Sequence, residues 1–160
     1  MSFINNIQYK GIVTFNMQWD WVAGAHMYNQ TKQWMYRDGI HSDYDIPVTI
    51  NGETQAFTSF YRSMYAGGAA NGTKNYFYED ASFWRLRNLS VGLDIAKLTK
   101  IKFANRLQLV LSGRNLLTFT PYSGMDPEVN YSTNSAFDRG LDHNTIPNTK
   151  SYTVGLNVGF

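Results

Sequence analysis

YKGIVTFNMQWDW, residues 9–21, alternates. Tyr9, Gly11, Val13, Phe15, Met17, Trp19 and Trp21 take the odd positions; Lys10, Ile12, Thr14, Asn16, Gln18 and Asp20 take the even ones. Successive side chains of a strand point to opposite faces, so this is a ribbon with one apolar and one polar face. Ile12 alone breaks the polar set. Strands of soluble domains average about 5–6 residues. This one passes ~10, the length that crosses a bilayer at a tilt. Aromatic residues mark both ends of its apolar face, as they do at membrane interfaces.

The same period recurs three times. In FWRLRNLSVGLDI, 83–95, Leu89, Val91, Leu93 and Ile95 oppose Asn88, Ser90, Gly92 and Asp94. At its start Arg85 and Arg87 fall in the apolar phase, so either a bulge near Arg87 and Asn88 restores the pattern or the strand has left the lipid there. In RLQLVLSGRNLLTF, 106–119, Leu107, Leu109, Leu111 and Gly113 alternate with Arg106, Gln108, Ser112 and Arg114. In SYTVGLNVGF, 151–160, Tyr152, Val154, Leu156, Val158 and Phe160 share a face, and Ser151, Thr153, Gly155, Asn157 and Gly159 form the other.

Composition narrows the class. The 160 residues include no cysteine, so there is no disulfide framework and no thiolate metal site. A net charge of +2 with 16% charged residues and no Lys/Arg run gives no argument for nucleic acid. No apolar run reaches the ~18 residues of a transmembrane helix. A mean hydropathy of −0.36 does not exclude a membrane barrel, whose strands alternate lipid-facing with lumen-facing residues. MSFINNIQYKG lacks the basic and apolar regions of a signal peptide, so any export signal is expected outside this chain.

The connections are unequal. About ten residues join the second and third strands, while about sixty (22–82) and about thirty (120–150) separate the others. Compact domains rarely use such long loops, whereas membrane barrels pair short turns on one side with long loops on the other. Strands running alternately up and down place both long loops on the outer side. Trp19, Trp21, Phe83, Trp84, Phe119 and Tyr152 then form an outer aromatic girdle, and Tyr9 and Phe160 an inner one. Within the first loop, residues 26–39 predict a short helix ending at Gly39, and 47–57 a hairpin turning at Asn51 and Gly52.

Three segments carry a family resemblance. ASFWRLRNLSVGLDI, LQLVLSGRNLLTFTPYSGMDPEVN and RGLDHNTIPNTKSYTVGLNVGF resemble, in order and spacing, the C-terminal end of SusC/RagA-type TonB-dependent outer-membrane transporters. Ile146-Pro147 stands where the family usually has tyrosine-proline, and the N-terminal half matches more loosely through YKG and WVAGAHMYN. The resemblance implies an all-β fold: an antiparallel transmembrane β-barrel segment of about four strands out of about twenty-two, with two long extracellular loops and the plug domain absent. It implies a Gram-negative outer membrane, import of oligosaccharides or peptides, and a SusD-like lid lipoprotein. The TonB complex would act through an N-terminal part missing from this chain. Outer-membrane lipid and the insertion machinery complete the expected partners.

Candidate sites follow. Tyr152, Val154, Leu156, Val158 and Phe160 are expected to serve as an assembly signal offered by strand addition, or as the last wall strand closing the barrel. The loop aromatics Trp34, Tyr36, Tyr44, Tyr61 and Tyr65 are candidate substrate contacts, since aromatic faces stack on sugar rings or peptide side chains. The same rings would also glue a long loop to itself, or meet the lid. Asp126, Glu128, Asp138 and Asp142 do not follow an EF-hand spacing and read as turn residues bonding their own backbone, with calcium the lesser alternative. Arg85, Arg87, Arg106 and Arg114 should face the lumen or the rims. His26, His41 and His143 show no metal or catalytic spacing, and no nucleophile-and-base pattern stands out. The chain is therefore read as no enzyme, with no cofactor and no metal. Two other readings remain: a soluble or surface carbohydrate-binding or adhesin β-domain, and a short barrel subunit that closes by oligomerising.

Overall fold

The structure is a computed structural model that describes residues 1–56, 60–62, 64, 73–99, 105–132 and 139–159. In chain order its elements begin with β1 (Ser2–Tyr9), β2 (Val13–Val22), β3 (His26–Asn29), α1 (Gln30–Asp38) and a 3-10 turn at Ser42–Asp45. β4 (Val48–Ile50), β5 (Glu53–Gln55), a second 3-10 turn at Thr73–Phe77 and β6 (Tyr78–Asp80) follow. Then come β7 (Phe83–Asp94), α2 (Ile95–Thr99), β8 (Arg106–Phe119), β9 (Leu141–Asp142) and β10 (Ser151–Gly159). Two compact units result. One holds Met1–Ala23, Ser82–Thr120 and Asn148–Phe160; the other holds Gly24–Ala81 and Pro121–Pro147.

The first unit is an antiparallel sheet in the order β1-β2-β7-β8-β10. It has five strands, one more than the alternation alone reveals. β1 lacks a clean alternation because Asn5 interrupts its apolar face and Ile4 its polar face. The stretch 9–21 is also not one ribbon. Lys10 and Gly11 both adopt positive φ (50° and 63°) and Ile12 N–H bonds the Tyr9 carbonyl at 2.9 Å, a tight hairpin turn. Tyr9 therefore ends β1, opposite Val13. Ile12 sits in the turn, which removes the single exception to the polar face.

Register carries the faces across the whole sheet. Directly paired residues share a face, so the ladders can be read as rows. Tyr9, Val13, Leu93, Leu109 and Leu156 form one row; Ile7, Phe15, Val91, Leu111 and Val154 form the next. Asn5, Met17, Leu89, Gly113 and Tyr152 follow. On the opposite face run Gln8, Thr14, Gly92, Val110 and Gly155, then Asn6, Asn16, Ser90, Ser112 and Thr153. The register shift opposite Gln18 and Trp19 takes Arg87 out of the strand register between Leu86 and Asn88. That bulge is where the broken pattern called for one. It returns Leu86 to the row of Phe3, Trp19 and Leu117, and Trp84 to that of Trp21 and Phe119.

Val22 pairs with Phe83 and Trp84 with Phe119, so both long excursions leave the sheet at the same end. The opposite end carries the Lys10–Ile12 turn and the short α2 segment.

The second unit has its own small sheets and cores. β3 pairs antiparallel with β6 and parallel with β9, and β4 with β5 form the hairpin expected at Asn51 and Gly52, whose φ values are 53° and 86°. The helix predicted over 26–39 forms only from Gln30; His26–Asn29 is strand, because its edges are taken by β6 and β9. Gly39 closes the helix at φ 72°, as expected. One core gathers Met27, Ala81, Tyr122 and Val129; the other gathers Tyr36, Tyr61 and Phe77.

Candidate functional site

The apolar face of the long-stranded sheet is uncovered. Tyr152 is 77% exposed, Val154 73% and Leu156 60%, and Phe3, Ile7, Tyr9, Leu111 and Leu117 are exposed as well. Water does not tolerate a patch of this extent without a partner. Along one end of this face Trp19 lies 5.3 Å from Trp84 and 6.5 Å from Phe119, centroid to centroid. The other face is a polar network. Arg87 Nε donates to Asp20 Oδ2 at 2.8 Å, Ser2 Oγ and Gln18 Nε2 donate to Asp20 Oδ1 at 2.8 and 3.0 Å, and Asn88 Nδ2 donates to Gln18 Oε1 at 2.9 Å. Arg85, only 2% exposed, pairs with Asp20 and Thr118 on this face. Arg114 shares it, in the row of Gln18, Asn88 and Ser151, and Arg106 ends β8 beside Gly159.

In the second unit, α1 opens on Asn29, whose Oδ1 accepts from Lys32 N–H at 2.8 Å and so caps the helix. The Asn29 amide then donates to Glu79 Oε1 and Ser123 Oγ, both at 3.4 Å. Ser123 donates twice to Glu79, from N–H to Oε2 and from Oγ to Oε1, each at 2.8 Å, and Lys32 Nζ stands 3.2 Å from Oε1. Burial alone would raise the Glu79 carboxyl, but the Ser123 donors and Lys32 outweigh it and hold the group below its ordinary value. A second junction centres on buried Asp142. It accepts from Tyr122 OH at 2.6 Å and Thr31 Oγ1 at 2.9 Å, and Asn144 N–H reaches Thr31 Oγ1 at 2.7 Å. Burial first, and then the Asp142 carboxylate, push the Tyr122 phenol far up, so it stays a proton donor.

Between these junctions lies a cleft of about 610 Å³, lined by Asn29 and the first turns of α1, by His41, by Ser123–Met125, and by Asp142 and residues 144–147. Thr145 is part of its wall, and the Thr145 hydroxyl is buried.

The loop aromatics are placed differently from one another. Tyr36 is 0% exposed; its OH bonds Asp43 and lies 3.0 Å from Tyr76 OH. Burial, then these two partners, drive its phenol far above the ordinary range. Tyr61 is buried against it, with its OH on the Ile46 carbonyl at 2.9 Å, and Tyr44 OH donates to the Tyr36 carbonyl at 2.5 Å. Trp34 stands apart, half-buried, edge-on to His143 at 4.4 Å with the Arg37 guanidinium 5.1 Å from its ring centre. Tyr65 and Phe160 lie outside the described residues, as does Asp138. Tyr152, Val154, Leu156 and Val158 line up on the apolar face of β10, an edge strand. Asp126 is buried and its Oδ1 accepts from Glu128 N–H at 2.9 Å, a local turn bond. Among the described residues no three His, Asp or Glu side chains gather as a metal site requires.

Asn29, Lys32, Glu79, Tyr122 and Ser123 were not singled out by the sequence. The signal available for two of them was the TPYSG stretch of the family resemblance.

Long antiparallel strands, one uncovered apolar face and one polar face define the class: this is an all-β protein. Over its whole length the chain is 32% identical to the TonB-dependent receptor P3 of Formosa agariphila, of which it spans 16%. Over 62% of its length it is 36% identical to receptor P39 of the same organism, spanning 10% of that protein. No family model matches. The fold is shared with the RagAB peptide importer: in the open-open state the TM-score is 0.69 at 22% identity, covering 99% of this chain and 17% of the other. In the closed-closed state the values are 0.58, 20%, 93% and 16%. The chain belongs to the TonB-dependent receptors, and the curated relatives it matches are receptors rather than enzymes.

Proposed function

We propose that this chain is a C-terminal stretch of barrel wall, with two extracellular loops, of a SusC/RagA-type transporter in the outer membrane of a Gram-negative bacterium. One observation carries the reading: two apolar rows, Tyr9-Val13-Leu93-Leu109-Leu156 and Ile7-Phe15-Val91-Leu111-Val154, run through all five strands, with a polar face behind them. Lipid against the first face and a water-filled lumen against the second satisfy both, which water on both sides does not. The remaining length of such a receptor would supply the plug and the TonB contact. Cargo would be an oligosaccharide or a peptide, taken up under a SusD-like lipoprotein lid, with the loop unit contributing to the chamber. Trp34 is the loop aromatic best placed to touch cargo; enclosed Tyr36 and Tyr61 would hold the loop's shape. Among the described residues β10 has a free edge. That edge would meet the strand that closes the barrel, after presentation to the insertion machinery.

Bilayer photolabelling tests the assignment. Val13, Leu93, Leu109 and Leu156 lie in one row and are expected to react with an acyl-chain carbene, while Thr14, Gly92 and Gly155 are spared. A soluble adhesin would leave all seven unlabelled and would fractionate without detergent.

A further inference from the structure

We propose that Asn5 pins the register of the wall strand that pairs with the free edge of β1, and that this strand meets Asn5 with a hydroxyl or amide side chain inside the membrane. The inference rests on the transporter reading, because Asn5 faces hydrocarbon only if the apolar rows do. Asn5 stands on the apolar face, opposite Met17, with Phe3 and Ile7 on either side of it along β1. Among the paired residues of that face, across all five strands, it is the only amide. With Tyr9 at the inner interface, Asn5 lies four residues farther out. That is about 14 Å along the strand and, at a tilt of about 45°, about 10 Å of height, well inside the hydrocarbon. An amide at that depth has no water to turn to, and leaving it unmatched is costly.

The β2 side of Asn5 offers no match. Trp19 Nε1 donates to Met17 Sδ at 3.2 Å, so the indole is matched by the thioether that stands opposite Asn5. The Asn5 amide has no hydrogen-bond partner among the described residues. The other side of β1 remains, and among the described residues β1 ends the sheet there. On a strand added at that edge, the residue directly opposite Asn5 would stand about 5 Å away, Cβ to Cβ, and its diagonal neighbours about 7–8 Å. An amide both donates and accepts, so Ser, Thr, Asn or Gln at one of those positions satisfies it. A second observation explains why a polar pair belongs at this edge. The hydrophobic pattern sets register firmly where it is clean and weakly where it is blurred. β1 carries an exception on each face, Asn5 on the apolar one and Ile4, 62% exposed, on the polar one. A slipped alignment therefore loses less burial here than on a cleanly patterned strand. A single amide in an apolar seam restores the discrimination, because only one alignment pairs it, as a lone asparagine does in a coiled coil. The opposite edge needs no such pin: β10 presents Tyr152, Val154, Leu156 and Val158 without interruption.

The test uses the full-length receptor, freed of other cysteines and refolded into bilayers. Ile7→Cys is combined with single cysteines along the wall strand next to β1, and oxidative cross-linking reads which of them lies opposite. One position is expected to dominate. The residue two places along from it, opposite Asn5, or one of its diagonal neighbours on that face, is expected to be Ser, Thr, Asn or Gln. This reading needs no change at Asn5. Asn5→Leu, which suits hydrocarbon and should still insert, is expected to divide the cross-linking between positions two residues apart, while Asn5→Gln keeps a single one. Apolar residues at every position facing Asn5, or one unchanged register in Asn5→Leu, overturn the pin and leave the wall assignment intact. Escape of Val13 and Leu109 from acyl-chain label in the same receptor overturns the transporter reading itself.

Discussion

Arginine placed on either face of β8 separates lipid from lumen by energy. β8 runs for 14 residues. At about 3.3 Å per residue it is roughly 45 Å long, and a tilt near 45° turns that into about 30 Å of height, the thickness of bilayer hydrocarbon. Leu111 lies near its middle, in the row of Ile7, Phe15, Val91 and Val154. Ser112, one residue on, lies in the row of Asn6, Asn16, Ser90 and Thr153. An arginine facing lipid at mid-depth costs about 2–4 kcal/mol. On a polar, water-facing wall the same change costs about 0.5 kcal/mol or less. In the full-length receptor refolded into bilayers, Leu111→Arg should therefore lower the folding free energy by about 2–4 kcal/mol. Ser112→Arg should leave it nearly unchanged. Urea titration followed by the gel shift between folded and unfolded barrel measures both. A larger loss for Ser112→Arg than for Leu111→Arg would refute the face assignment.

Further outcomes concern the loop unit. Asn29→Ala removes the α1 cap together with both donor bonds to Glu79 and Ser123; it should cost about 1–2 kcal/mol, read as faster hydrogen exchange at the first α1 amides. Gly124→Ala would place a Cβ 2.4 Å from the Tyr122 ring, so the ring or the backbone must shift; the expected loss is about 1–3 kcal/mol, seen as faster proteolysis within 121–147. The Glu79 carboxyl is depressed in the folded state, so its contribution is full above the ordinary glutamate value of 4.5 and fades as pH falls through the lower folded value. Proteolysis of the loops should accelerate over that acidic window in the natural receptor, and Glu79→Gln should be less stable at neutral pH with a flatter profile.

Period-two alternation by itself pointed to four of the five sheet strands, the faces they present and a bulge in β7, although it ran the first of them on through the Lys10–Ile12 turn. It could do so because a strand between lipid and water needs no partner to set its pattern: each side chain meets one solvent or the other. The turn at Asn51 and Gly52 was equally local, since those residues tolerate positive φ. Tertiary structure decided the rest. β1 is a strand because β2 lends it an edge, although Asn5 and Ile4 blur its faces. His26–Asn29 is strand rather than helix because β6 and β9 take both its edges. The cleft depends on bonds between residues 44 apart, Glu79 and Ser123, and 113 apart, Thr31 and Asn144. No local period encodes such meetings. They arise when the two long excursions, leaving the same end of the sheet, fold into one unit and must satisfy their buried polar groups on each other.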